Sequence, residues 1–415
     1  MKSSSFEFHP CKKFCGNNPT KTIYFLMVLP FCIFLALFLL SSPVPIYKQL
    51  FFTRPSHHQI LVIPKVEDSC DLFSGGWVWD LEGPIYTNST CPTLPDSKNC
   101  GKHGRIDTDY MKWRWKPDSC ELPRFDPKRF LNLFRHKKLV FVGDSVARNQ
   151  MESLLCLLSQ VETPTDIYHD HDDRFRRWHF PSHNFVLAVF WTKFLVHADE
   201  IIRNGLPSGE FNIHLDRPDA NWTRSIAQYD VAVISDAHWF FRPSTFYESG
   251  HPIGCLYCDS NKRKLKDLGL AFALRKAFHS ALRALKECDE CKGLYFVRTF
   301  SPAHFEHGSW NEGGRCNRTE PLGPEGVSES AFELEVREIQ VHEVKKVSKV
   351  SRDKRIKVLD VTKAMMVRPD GHPNEHWHGP EMEAFNDCIH WCLPGPVDAW
   401  NELLMEMVAR ERSKE

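Results

Sequence analysis

The sequence predicts an α/β fold: a mostly parallel β-sheet with helices on both faces, a loop-rich N-terminal subdomain, and an N-terminal membrane-spanning helix. Three observations carry this. Residues 138–143, 184–191, 229–235, 293–300 and 356–361 are short apolar runs of strand length, and helical patterns over 268–286, 333–350 and 396–410 fall between or after them. Apolar strands separated by helices make a parallel sheet covered on both sides. Residues 70–120 are instead rich in Cys, Gly, Pro and Trp with few periodic runs, which reads as loops stapled by disulfides. Finally, Thr22 to Leu40 is almost entirely apolar, about the ~20 residues that span a bilayer as a helix.

Taken in order, residues 1–21 form a short tail with Lys2, Lys12, Lys13 and Lys21, which keeps it cytosolic and the rest luminal. The span is 22–40. A cleaved signal peptide is the competing reading, but its apolar region is typically about 7–15 residues, shorter than this run. Residues 41–69 read as a stem, 70–137 as the Cys/Trp-rich subdomain, and 138–415 as the catalytic domain, which makes a type II single-pass protein. Three sequons, at Asn88, Asn221 and Asn317, lie after the span. Of the 15 Cys, those outside the anchor region are even in number, as disulfides in an oxidising lumen require.

The charge balance is neutral, with 53 basic and 53 acidic residues, which excludes nucleic acid and strongly anionic partners as the expected ligands. A neutral ligand fits better. Aromatic residues make up 12% of the chain, and Trp113, Trp115, Trp178, Trp239, Trp310, Trp377 and Trp391 fall in loops or near the candidate site. Each either packs in the core or offers a flat face to a sugar ring.

The first apolar strand stops at Gly143, and a helical pattern through Met151, Leu154, Leu155 and Leu158 begins after Ser145. A Ser on such a strand-to-helix turn is either a plain N-cap or a nucleophile whose oxyanion the helix N-terminus stabilises. The chain also supplies a candidate base. In Asp387-Cys388-Ile389-His390-Trp391-Cys392, an Asp three residues before a His can hold Nδ1 and leave Nε2 for a serine elsewhere.

Further blocks accompany these: Cys70-Asp71-x-Phe73-x-Gly75-x-Trp77, Trp113-Arg114-Trp115-Lys116-Pro117, Leu122-Pro123-Arg124-Phe125, Arg148-Asn149-Gln150, Arg368-Pro369-Asp370-Gly371-His372-Pro373 and Leu393-Pro394-Gly395. Together with Gly143-Asp144-Ser145 and the Asp387/His390 loop, they resemble the plant trichome-birefringence-like proteins over most of the luminal chain. The resemblance implies an SGNH/GDSL-like three-layer α/β/α catalytic domain in a Golgi membrane enzyme that O-acetylates wall polysaccharide. It implies Ser145 as nucleophile, His390 as base and Asp387 as its orienter, and Gly143 and Asp144 beside Ser145 are candidate oxyanion or substrate contacts. It also implies the pairings Cys70 with Cys120, Cys91 with Cys156, Cys100 with Cys392, and Cys316 with Cys388.

Backbone N–H groups at Ser145 and near Ala237 are the expected oxyanion donors. Related sequences carry Gly where this chain has Ala237, and the Ala serves without strain only at negative φ. Asn311 is the candidate for the family's Asn position, and His238, Trp239 and Trp391 are candidate substrate contacts. Arg148 either orients substrate or donor, or is a surface Arg. Cys255-x-x-Cys258 and Cys288-x-x-Cys291 form either disulfides or a zinc site, and disulfides fit the compartment. No metal and no bound cofactor are expected. Acetyl comes from a co-substrate, either acetyl-CoA or a relayed carrier fed by a membrane partner, since no nucleotide-binding Gly-rich loop is present. Segments 234–243 and 176–178 resemble the xyloglucan branch, with mannan and xylan as alternative hemicellulose acceptors. The same residues also permit a carbohydrate acetylesterase, and the Trp content a non-catalytic glycan-binding protein.

Overall fold

The computed structural model describes residues 70–258, 265–328, 331–351, 355–378 and 385–414. The tail, span and stem lie outside the described residues. Among those described, no helix is long and apolar enough to cross a membrane.

In chain order, β1 (Gly75–Trp79) and β2 (Trp113–Pro117) pair as an antiparallel ribbon, and α1 (Pro127–Leu133) leads into β3 (Lys138–Gly143) and α2 (Ser145–Leu158). There follow β4 (Thr165–His169), β5 (Phe175–Phe180), β6 (Phe185–Trp191), β7 (Val196–Arg203), β8 (Leu206–Pro218), α3 (Ala220–Ile226) and β9 (Val231–Ser235). The remainder comprises β10 (Ser244–Glu248), β11 (His251–Leu256), α4 (Leu270–Glu287), β12 (Leu294–Arg298), α5 (Phe332–Ser351), β13 (Ile356–Leu359), α6 (Thr362–Met366) and α7 (Asp398–Arg412).

The main sheet has the order β13-β12-β9-β3-β6-β5-β4, and its first five strands are mutually parallel. These are the five strands that the apolar runs mark, since a strand buried on both faces has no polar side to break its run. β4 and β5 extend the sheet antiparallel and were not expected. β4 is exposed at every residue, so its composition reads as loop. A second sheet, β11-β10-β8-β7, was not expected either, because its outward faces carry His, Asp, Glu and Arg.

Alternation along β3 divides the core in two. Leu139 and Phe141 pack with Val146 and Leu154 of α2 and Trp400 and Leu404 of α7, whereas Val140 and Val142 face Leu274 and Phe278 of α4 and Ile339 of α5. Each such side chain, fully buried, contributes roughly 1.5–3 kcal/mol. Helices therefore cover both faces.

The described residues fall in one compact unit, so the Cys/Trp-rich segment is fastened to the body. Leu72, Tyr86, Trp115 and Phe125 share the core of α2 and α7. Cys70–Cys120, Cys91–Cys156, Cys100–Cys392 and Cys316–Cys388 are paired as expected, and Cys255–Cys258 and Cys288–Cys291 each close on themselves as disulfides. Arg105 donates to the carbonyls of His372 (2.8 Å) and Asp370 (2.5 Å), which joins the N-terminal loops to the C-terminal ones. The sequon residues Asn88, Asn221 and Asn317 are all exposed.

Gly143 ends β3 at φ +146°, and a Cβ there would lie 1.7 Å from the Ser235 carbonyl oxygen of β9. Only glycine lets these two backbones approach at that point. Gly143→Ala is expected to destabilise the fold by on the order of 4 kcal/mol or prevent its recovery; an unchanged urea midpoint would contradict this.

Candidate active site

Asp144 alone forms the turn between β3 and α2. Its Oδ1 caps the helix, accepting from Val146 N (2.9 Å) and Ala147 N (3.4 Å). Its Oδ2 faces Ala237 N, His238 N and His238 Nδ1 at 3.4, 3.4 and 3.2 Å. Nε2–H of His238 in turn donates to Ser301 O at 3.0 Å. Both ring nitrogens thus face acceptors. Burial alone would raise the Asp144 carboxyl, but the hydrogen bond and charge of His238, with the charge of Arg298, hold it well below the usual carboxylate range.

Ser145, half-buried, is therefore the first residue of α2. Its N–H belongs to the set that an α-helix leaves without an internal partner, at the electropositive end of the dipole. Asp387 and His390 sit on the loop held by Cys388 and Cys392. Asp387 accepts from His390 Nδ1 (2.8 Å to Oδ2) and from the backbone N–H groups of Ile389 and His390 (3.2 and 3.0 Å to Oδ1). Lys98 Nζ stands 3.6 Å from Oδ2. Burial would raise Asp387, but the charges of His390 and Lys98 overcome it and hold the carboxyl far below its ordinary range. His390 is pushed down by burial, and Asp387's opposing pull is partly offset by Lys98. The result is a neutral imidazole whose Nε2 is buried and has no hydrogen-bond partner among the described residues.

Two cavities meet at His390, Ser97 and Lys98. One, of about 550 Å³, is the more polar of the two and contains Ser145, Arg148, Glu152, Arg176 and Trp178. The other, of about 700 Å³, is walled by aromatic residues including Phe241, Phe300, Trp310, Trp377 and Phe385. A half-buried serine, a neutral His with a free nitrogen, and a helix N-terminus on one cleft are the parts of a serine acyl-transfer site.

Residues 122–407 match the PC-Esterase family, described as a GDSL/SGNH-like acyl-esterase family found in Pmr5 and Cas1p. The chain belongs to the PC-esterase family. Residues 68–121 of this PC-esterase match the PMR5 N terminal domain. Among named relatives, xyloglucan O-acetyltransferase 4 of Populus trichocarpa is 52% identical over 85% of this chain and 84% of its own. Xyloglucan O-acetyltransferase 3 of the same species is 49% identical over 85% and 89%, and xyloglucan O-acetyltransferase 2 of Arabidopsis thaliana is 45% identical over 88% and 89%.

Several expected contacts of the PC-esterase site differ in the structure. Ala237 has φ −179°, extended backbone that any residue adopts, so Ala in place of Gly is unstrained. Its N–H, however, points to Asp144 and is not an open oxyanion donor. Asn311 is exposed on an outer loop, where its Oδ1 accepts from Ser309 Oγ (2.8 Å), and lines neither cavity. Trp391 is fully buried, stacked on His372 at 4.0 Å with Nε1–H donating to Ser301 Oγ (2.9 Å), so it packs the loop and cannot meet a glycan. Successive residues turn to opposite sides, and His390 takes the cleft side. Trp239 lies between Trp191, Phe211 and the cations Lys193 and Arg242, outside both cavities. Arg148 reaches the polar cavity but is held by Asp173 (3.0 Å).

Two residues emerge that sequence reasoning assigned no role. Asn149, fully buried one turn from Ser145, accepts from Trp391 N (2.7 Å) and donates to Trp391 O (3.3 Å), joining the Ser145 helix to the His390 loop. Lys98 comes from the N-terminal segment. No sequence signal marked either residue: Asn149 stands among the polar Ser145, Gln150, Glu152 and Ser153 of its helix, and Lys98 in a short 3₁₀ turn of the loop-rich segment.

Asn149→Ala is expected to lower kcat about 10²-fold with little change in KM, by loosening His390 against Ser145, measured on an acetyl ester; a KM-only effect would exclude a positioning role. Lys98→Met removes a positive charge that depresses His390. The acid limb of kcat/KM should therefore move to higher pH, and Lys98→Arg should restore it. A limb unmoved by Lys98→Met would exclude this tuning.

Proposed function

We propose that this chain is a Golgi-lumen O-acetyltransferase that places acetyl groups on hydroxyls of xyloglucan through an acetyl-Ser145 intermediate. The observation that carries the reading is His390: Nδ1 is held by Asp387, Nε2 has no hydrogen-bond partner among the described residues, and the residue lines the cavity that contains Ser145. Free serine is a weak nucleophile and needs such a base. The covering of the sheet on both faces supports reading it as a GDSL/SGNH-like three-layer arrangement.

His390 Nε2 takes the Ser145 proton as Oγ attacks the acetyl carbonyl of the donor. Negative charge develops on the carbonyl oxygen, where the Ser145 N–H and the α2 dipole stabilise it. The imidazolium, stabilised by Asp387, protonates the leaving group, and acetyl-Ser145 remains. A sugar hydroxyl then gives its proton to Nε2 and attacks the ester, which returns free Ser145 and acetylated glycan. Apo hydrogen bonds in such sites are often long and tighten with substrate bound, consistent with the absence of a Ser145–His390 bond here.

Xyloglucan is the acceptor in the names of the relatives above, and the neutral charge balance fits an uncharged hemicellulose. The acetyl donor is a co-substrate, acetyl-CoA or a carrier supplied across the membrane. The apolar span 22–40 and the three exposed sequons support a type II anchor with the catalytic body in the lumen.

Incubation with an acetyl donor and no acceptor should leave acetyl on Ser145, found by peptide mass spectrometry, and xyloglucan oligosaccharide should discharge it faster than mannan or xylan. Ser145→Ala and His390→Ala should each cost on the order of 10⁴-fold or more in rate, and Asp387→Asn somewhat less. Discharge only to water as acetate would instead identify an acetylesterase, and full turnover by Ser145→Ala would remove the mechanism.

A further inference from the structure

The second sheet carries a group of side chains that the chemistry above does not use. β7 and β8 are antiparallel neighbours, with Ala198 opposite Ile213. Ile213 and Leu215 are fully buried and Ala198 packs against the same core, so that face of the ribbon looks inward. Alternation then sends His197 and Asp199 of β7 and His214 of β8 to the opposite, outward face.

There the three side chains converge. His197 Nε2 lies 3.1 Å from Asp199 Oδ2 and His214 Nε2 lies 3.8 Å from the same oxygen. One ligand atom from each of the three falls within 4.8 Å of the others. The imidazole centroids are 5.2 Å apart, and Tyr247 of β10 stacks on His214 at 5.0 Å, fixing that ring from the far side. All three side chains remain open to solvent, at 32%, 60% and 21% exposure for His197, Asp199 and His214. An entry path therefore exists, and an ion would keep at least one water.

We propose that His197, Asp199 and His214 form a binding site for a divalent transition-metal ion, with zinc as the species that fits best. Two imidazoles and one carboxylate are borderline N/O donors of the kind zinc takes, at about 2.0–2.2 Å. Ligand atoms around a tetrahedral ion at such distances are separated by roughly 3.3–3.5 Å, so the 3.1 and 3.8 Å spacings to Asp199 are already close to that, and a pair at the 4.8 Å limit would close by about 1.4 Å. The site is absent from both cavities that meet at His390, so the ion would cross-link β7 to β8 and take no part in acyl transfer. The inference is independent of the proposed function.

The test uses the full chain in detergent, stripped with EDTA and titrated with zinc chloride by calorimetry. Because the chain has 21 His, the wild type is compared with His197→Ala/His214→Ala, and circular dichroism verifies that the variant is folded. One equivalent of micromolar affinity should disappear in the double variant. Single His197→Gln or His214→Gln variants, each losing a direct ligand, should weaken it by at least the about 10–100-fold that loss of an outer-shell partner costs, and zinc should raise the unfolding midpoint of the wild type more than that of the double variant. Cobalt(II) should give a visible ligand-field absorption that the double variant lacks. Equal zinc stoichiometry and affinity in wild type and double variant, or no binding by the wild type at millimolar zinc, would overturn the site. Acetyl transfer by the stripped wild type should be unchanged, so neither result bears on Ser145.

Discussion

Everything at the centre of this molecule hangs on a clamp of two hydrogen bonds, Asn149 to the backbone N–H and carbonyl of Trp391. Ser145 is built by the first strand-to-helix turn of the sheet, and His390 by a loop near the other end of the chain. No local geometry relates them. Asn149 shares a helix face with Ser145, and Trp391 is the next residue after His390, so a single amide side chain sets one element against the other. Because both Trp391 groups are buried, losing the amide would leave them unsatisfied at a cost of about 1–3 kcal/mol each, and that cost keeps the clamp closed.

Asp144 has a comparable role on the other side of Ser145. A fully buried carboxylate is costly unless its lone pairs are used. Here it caps α2 and faces the 237–238 backbone and His238, while Arg298 supplies charge from beneath. The same side chain thus starts the helix that presents the serine and immobilises the loop opposite. Gly143 must precede it, because the β9 backbone leaves no room for a Cβ.

The five parallel strands and the helices α2, α4, α5 and α7 were legible in the sequence because burial on both faces, or on one helical stripe, imposes a pattern on composition. β4, β5 and the β7–β11 sheet were hidden, since their polar outward faces interrupt it. The pairing of Asp387 with His390 was legible because both lie on one short loop and the contact is local. Asn149 and Lys98 were hidden for the opposite reason, as their partners are distant in sequence. Trp391 was misjudged because adjacency to His390 says nothing about side. Asn311 was misjudged because an Asn in a Gly-rich loop looks the same whether it faces a cleft or the solvent.

The bridges at Cys388 and Cys392 bracket His390 and run to Cys316 and Cys100, two segments that otherwise have no covalent tie to the loop. The loop that carries His390 is consequently tethered by oxidation of these four cysteines. A copy held among cytosolic thiols would possess every residue of the site yet lack the tethers that aim the imidazole. Oxidation is thereby a step in the assembly of this site: until Cys316–Cys388 and Cys100–Cys392 form, the loop that carries His390 is held to the 100 and 316 segments by non-covalent contacts alone.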